Sequence, residues 1–331
     1  MEKKKLIRTH DNLVTLDAAS IEAASVFFLG ELELHDPRIN MPLQSFSWSR
    51  DMPIRSDVTI ADEITSYARD FFAAPGNQEG DGTHFIGANT TQIAGPQVTR
   101  NLYRNPLEPW GMEISYTIFD IEKSMKVGRP INTAKIDAVQ RIYQQEMNDL
   151  AYKGNSRLGF KGLFNLDDIT ISSASTKTSG GTIWTVATDP DEILADINAL
   201  ILSTLQSTNE TIAPSRILIP WTNYNIIATR KISLAGERTI LTFLKENNIS
   251  NAVIGRELEI LPVRWLDTAG VGGLGRMIAY TPDEQYLRMP VVPLLRTPLE
   301  QTTLYFKFVY YTVCGGVENV YPETIGYMDG I

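Results

Sequence analysis

The chain has 331 residues, 43% of them hydrophobic, with a formal charge of −9 and a pI near 5.0. That apolar share excludes a disordered chain, and the acidic balance argues against a surface dedicated to gripping nucleic acid, which needs clustered Lys and Arg. No apolar run follows the basic start Met1–Lys5 or reaches the length of a membrane span, and Cys314 is the single cysteine. The sequence therefore predicts no secretory leader, no membrane helix and no intrachain disulfide, as suits a reducing, cytosolic folding environment.

Residues 1–55 read as an arm. A helix is predicted over 18–34, after which Asp36-Pro37, Met41-Pro42 and Met52-Pro53 break the chain repeatedly, because a residue before proline is pushed out of the α region. Apolar residues without a regular period, as here, suit a segment that packs along a surface of its own chain or a neighbour's. Residues 75–111 are the most loop-like stretch, opening with Pro75-Gly76-Asn77 and carrying Gly95-Pro96, Asn105-Pro106 and Glu108-Pro109. Two β-prone pieces, 83–86 and 97–103, are expected to pair as a long hairpin. A loop this long in a compact chain is usually a binding element.

From Met112 the pattern sharpens. Met112, Ile114, Tyr116 and Ile118 alternate with polar residues, the signature of a half-buried strand. Asn132 or Thr133 then caps a helix to Lys153, with Ile136, Val139, Tyr143, Met147 and Leu150 on one stripe. Gly154 stands where a left-handed cap belongs, and the chain continues Gly-x-x-x-x-Gly-x-x-Gly-Leu-x-Asn through Gly162 and Asn165. After a Ser/Thr/Gly turn region at 172–181, Asp189-Pro190-Asp191-Glu192 opens a helix over 190–206. A buried strand at 216–220, helices at 222–231 and 238–247, and a strand at 258–266 complete an α/β unit between about 186 and 290. Leu304–Val313 is aromatic and β-branched on both faces and reads as a central strand, followed by a turn or bulge at Cys314–Val317.

Catalytic chemistry is hard to find. His10, His35 and His84 are far apart, and Cys314 has no partner cysteine, so zinc is not expected; at a strand end the thiol reads as structural rather than as a nucleophile. Gly270-Val-Gly272-Gly273-Leu-Gly275 matches Gly-x-Gly-x-x-Gly, but it leads into the strand pattern 276–280, and position 295 is Leu where an acid is required. A loop between strands fits better than a dinucleotide cradle. Asp167-Asp168 reads as a turn and Asp189/Asp191/Glu192 as a capped helix start, with a metal or acid–base role left open for either.

Four places carry a resemblance to the major capsid proteins of tailed bacteriophages. They are Tyr116–Glu122 with Val127-Gly128; Tyr152-Lys-Gly154 through Gly162-Leu-Phe-Asn165; Arg216-Ile-Leu-Ile-Pro220 with Tyr224; and Gly315-Gly316-Val317 with Pro322, Tyr327 and Asp329-Gly330-Ile331. The resemblance covers about 110–331 by motif and the first third by arrangement. It implies an α+β, Hong Kong 97-type fold: an N-terminal arm (1–55), an extended loop (56–111), a peripheral domain with a long spine helix (112–185 and 290–331) and an axial domain (186–289).

The implied function is self-assembly into homo-hexamers and homo-pentamers of an icosahedral shell around phage double-stranded DNA, held without sequence-specific contacts. The implied partners are portal, scaffolding and decoration proteins, with assembly in the host cytoplasm and no membrane, cofactor, metal or enzymatic activity. Phe72, Phe85, Ile86 and Trp110 would then find partners on other copies, while Gly154, Gly162 and Asn165 form the joint after the spine and Gly272 and Gly273 belong to an axial loop. Some relatives cross-link their shells through a loop lysine, but no lysine occurs between Lys5 and Lys123, which predicts a non-covalent shell. An encapsulin-like compartment shell and a soluble α/β enzyme are the alternatives.

Overall fold

The computed structural model describes residues 45–73, 95–127, 131–232, 238–255 and 257–331. The expected arm helix at 18–34, the piece at 83–86 with Phe85 and Ile86, and the three histidines lie outside them. Contacts separate Met1–Gln44 from Ser45–Ile331, and the architecture is that of the second unit.

Its longest helix, the spine, runs Ile131–Lys153, about 35 Å at 1.5 Å per residue. The expected stripe is its buried face: Val139, Tyr143, Met147 and Leu150 are all in the core. Part of the cover comes from the end of the arm region. Trp48 and Met52 are buried, the Trp48 indole donates to Gln144 (2.8 Å), and the Ser47 amide donates to the Asn148 side chain (3.2 Å). This stretch therefore packs on its own chain, because its two large apolar side chains fit the spine's stripe.

A second sheet is built on one strand, Gln97–Thr117. Its first half pairs antiparallel with Ile64–Ala73, from Ile64↔Pro106 to Ala73↔Gln97. Its second half pairs with Tyr305–Gly315, from Leu107↔Gly315 to Thr117↔Tyr305. The hairpin expected between 83–86 and 97–103 is thus corrected: the partner of Gln97–Pro106 is Ile64–Ala73. Pro106 and Pro109 sit where the strand changes partners, so each has one open edge and its missing N–H breaks no ladder. The expected central strand does lie inside this sheet, flanked by Gln97–Thr117 on one side and by Leu295–Arg296 and Glu300–Thr302 on the other. It runs on to Gly315, past the expected turn at Cys314.

The third element is a five-stranded mixed sheet in the order Thr170–Ser173, Gly326–Asp329, Arg276–Tyr280, Arg216–Pro220, Glu259–Val263. The first and last strands of the chain's second half therefore join the strands of the α/β unit. Ile217, Leu218 and Ile219 are fully buried at its centre. Helix Pro190–Ser207 covers it, its start fixed as the sequence implies by the Asp189 side chain accepting from the Asp191 amide and by Pro190 in the first turn. Ile193, Ile197, Leu200, Ile201 and Leu205 form its buried face. The helix expected at 238–247 is Ile240–Glu246, and a second short helix not read from the sequence, Ile249–Ile254, follows it because Asn248 caps a new start. The strand expected to reach Leu266 stops at Val263 and turns into a 3-10 segment.

Candidate assembly surface

The joint after the spine is a backbone-to-backbone contact. Gly154 has φ +73°, and a Cβ there would lie 2.7 Å from the Gly162 nitrogen; one on Gly162 would lie 2.5 Å from the Tyr152 carbonyl oxygen. The two glycines let the returning chain reach the helix end. Leu163 and Phe164 then donate to the carbonyls of Ala151 (2.8 Å) and Tyr152 (3.1 Å), and the Asn165 side chain donates to Lys153 (3.1 Å) while accepting from the Gly162 amide (2.7 Å). Carbonyls left without partners at a helix end are satisfied in this way. Gly154, Gly162 and Asn165 are thus brought together, with positional roles in folding.

Distant segments converge on the joint. Val317 donates to the Lys161 carbonyl (3.0 Å), the Tyr327 hydroxyl to Leu163 (2.5 Å) and Arg276 to Phe164 (2.6 Å). Arg276 also grips Asp329 with two buried hydrogen bonds (2.6 and 2.7 Å), a bidentate pair of the strong, orienting kind. The Gly-Gly-Val and Tyr/Asp ends read in the sequence therefore meet the Gly-Leu-x-Asn turn in space.

The long hairpin is built differently. Residues alternate across its faces, and on one face Tyr67 and Tyr103 stack (5.3 Å). Arg69 lies over Tyr103 (4.8 Å), and Tyr67 and Arg69 both donate to the Asn319 carbonyl (2.9 and 2.7 Å). Burial pushes the Tyr67 phenol pKa up. At the root, buried Glu318 accepts from Arg288 (2.7 Å), from Arg55 (3.2 Å) and from the Thr65 hydroxyl. This clasp ties the hairpin to strands Ile54–Arg55, Leu287–Pro290 and Glu318–Asn319.

The opposite face carries Ile64, Leu102, Val98 and Phe72, all exposed, Phe72 at 77%. Between them lies the Asp70–Arg100 pair (2.7 Å), whose hydrogen bond holds the Asp70 carboxyl below its usual range. Ile64, Val98 and Leu102 were missed by sequence reasoning; the even positions 64, 68 and 72, read as a strand, were the available signal.

The other site expectations divide. Trp110 is half-buried in its own chain, edge-on to Tyr143 (5.3 Å) and donating to Glu146, so part of the surface expected to meet another copy is already covered within the subunit. The half-buried indole is held there because the spine stripe passes under it. Gly272 and Gly273 have φ +75° and +76° with open space about them, forming a turn that Gly270 and Leu274 close (2.8 Å). Strand Arg276–Tyr280 comes directly after, so the loop does not lead into a helix of its own as a dinucleotide cradle does. Cys314 is buried, and desolvation, with Glu146 and Glu108 adding to it, pushes its thiol up to about 11. Among the described residues no cluster of His, Cys, Asp and Glu is arranged to hold a metal ion, and no helix is long and apolar enough to cross a membrane.

Comparison with known proteins places these features. The chain shares its fold with the capsid of Myoviridae phage XM1, at a TM-score of 0.72 and 15% identity, covering 91% of this chain and 98% of that one. A chain of Microbacterium phage Oxtober96 gives 0.57 at 12% identity, covering 95% and 99%. The capsid of an empty GTA particle gives 0.51 at 13%, covering 93% and 97%. No curated protein matches the sequence itself. The family model described as major capsid protein matches residues 82–331, which favours the capsid reading over an encapsulin-like shell. With most of its length matched, the chain belongs to the major capsid protein family.

Proposed function

We propose that this subunit builds an icosahedral phage head of the Hong Kong 97 type, with the long hairpin as the element that one copy lays over the next. The uncovered apolar face of the hairpin carries this reading. Ile64, Val98, Leu102 and Phe72 each leave more than half of their surface exposed, and fully burying a side chain of that size is worth about 1.5–3 kcal/mol. A rigid arm rooted in the body and apolar on its outer face suits a heterologous contact, which closes into rings when repeated by rotation.

In this reading residues 112–185 and 290–331 form a peripheral domain around the spine, and 186–289 an axial domain whose sheet also takes in Thr170–Ser173 and Gly326–Asp329. Rings are hexamers and pentamers, and the shell encloses double-stranded DNA behind an acidic wall. Portal, scaffolding and decoration proteins join it, and assembly takes place in the bacterial cytoplasm. The shell is non-covalent between subunits, since the hairpin and its flanks carry no lysine.

Negative-stain electron microscopy of the purified full-length protein tests this. Closed shells or capsomer rings are expected, with single-chain bands on denaturing gels. A strictly monomeric protein at high concentration would contradict the assembly reading, and a ladder of covalent oligomers would contradict the non-covalent one.

A further inference from the structure

Beneath helix Pro190–Ser207 lies a group of reactive side chains that the shell reading leaves unused. Lys177 and Asp196 form an ion pair whose side chains are 0% and 2% exposed. They are among the few charges so fully removed from water, and they lie beside Ala174, Trp184, Ile193 and Ile197 of one apolar cluster. A charged pair held away from water costs desolvation that its own attraction repays only in part.

Both carboxylate oxygens are held by donors. Oδ1 accepts from the Ser175 hydroxyl (2.6 Å) and more weakly from the Ser175 amide (3.3 Å). Oδ2 accepts from the Trp184 indole (2.8 Å) and from the Lys177 ammonium, which also donates to the Ser175 hydroxyl (3.0 Å). One helical turn before Asp196, on the same face, stands Glu192. Its Oε1 accepts from the Thr178 amide and hydroxyl (2.8 and 2.6 Å), and its Oε2 is buried with no hydrogen-bond partner.

We propose that Lys177 and Asp196 condense within the folded chain to an isopeptide bond. One ammonium proton passes along the Lys177–Asp196 hydrogen bond to Oδ2, freeing the lone pair of Nζ and making the carboxyl neutral. Nζ attacks Cγ of Asp196, and the tetrahedral charge on Oδ1 is met by Ser175, the arrangement that stabilises an oxyanion in acyl transfer. The Cγ–Oδ2 bond breaks as Oδ2, already carrying one proton, takes a second from the nitrogen. It leaves as water.

The net change is ammonium plus carboxylate to amide plus water, with no oxidant or further reactant. It removes both buried charges, and the dry surroundings oppose hydrolysis. Fixed proximity supplies the effective concentration that free amines and carboxylates lack. The bond would tie residues 19 positions apart, closing the 177–196 segment inside one subunit, and it is compatible with a shell that is non-covalent between subunits.

Denaturing intact-mass spectrometry of the full-length folded protein is the test. The expected mass is one water below that of the sequence, and a digest should yield a branched peptide joining Lys177 to Asp196. Lys177→Met and Asp196→Ala should each restore the sequence mass. Wild-type protein at the full sequence mass would overturn the proposal without any variant being needed. So would a water loss that mild alkali reverses or that fragments within one linear peptide, since either marks a cyclic imide.

Discussion

At the glycine joint the carbonyls of Ala151, Tyr152 and Lys153 all find donors on the returning chain, at Leu163, Phe164 and Asn165, and Gly154 and Gly162 approach until neither has room for a Cβ. On the outer face of the long hairpin, Ile64, Val98, Leu102 and Phe72 are exposed although each is apolar. The first region is finished by its own chain, and the second, in the function proposed above, takes its cover from a neighbouring copy. A subunit that must fold alone and then assemble needs both, and here they are physically separate. Changes at the joint should therefore register as loss of folding, and changes on the hairpin face as loss of assembly.

The largest stability effect is expected from Gly154→Ala. A left-handed backbone costs a non-glycine residue about 1–2 kcal/mol, and crowding against backbone about 1–3 more. Urea unfolding should therefore show roughly 2–5 kcal/mol of destabilisation. An unchanged midpoint would mean that the helix end and the return do not touch as described.

Glu318→Gln comes next. Its neighbours Arg55 and Arg288 lose a buried anion while the hydrogen bonds survive in part, so about 1–3 kcal/mol is expected. Amide exchange should quicken first at the hairpin root around Thr65. Uniform quickening across the spine would show that the clasp is not local.

Alkali gives a gentler trend. Burial raises the Tyr143 phenol to about 12 from an ordinary 10.0 and the Cys314 thiol to about 11 from 9.0, and raises Tyr152, Tyr280 and Tyr327 in the same direction. Above pH about 9 the unfolded chain sheds protons that the folded chain keeps, so stability falls as pH rises until the folded groups themselves ionise. The melting temperature should drop steadily from pH 9 to 11, and a flat profile would contradict the burial of these groups. Smallest of all is Asp70→Asn. The Asp70–Arg100 pair is solvent-exposed and screened, so no measurable change in melting temperature is expected.

The sequence made some of this legible and hid the rest for physical reasons. The spine could be read because a stripe at helical spacing is a local signal, and Pro190–Ser207 because Asp189 and Pro190 mark its start. The Gly-Leu-x-Asn motif was visible, but not that Gly154 faces Gly162, since that contact depends on where the chain returns. The hairpin partner was misread because Pro106 and Pro109 look like breaks, when each sits at an open edge of a strand changing partners. The contact of Trp110 with the spine was hidden for a related cause: an aromatic residue in a loop-like stretch gives no hint that Tyr143 lies beneath it.

The separation of folding from assembly is tested most directly by Phe72→Asp combined with Val98→Asp in the full-length protein. Melting temperature and sedimentation velocity would be measured side by side with wild type. The account predicts an unchanged melting temperature for the subunit together with loss of rings and shells. Normal shells from the double variant would contradict it, and so would a subunit that fails to fold.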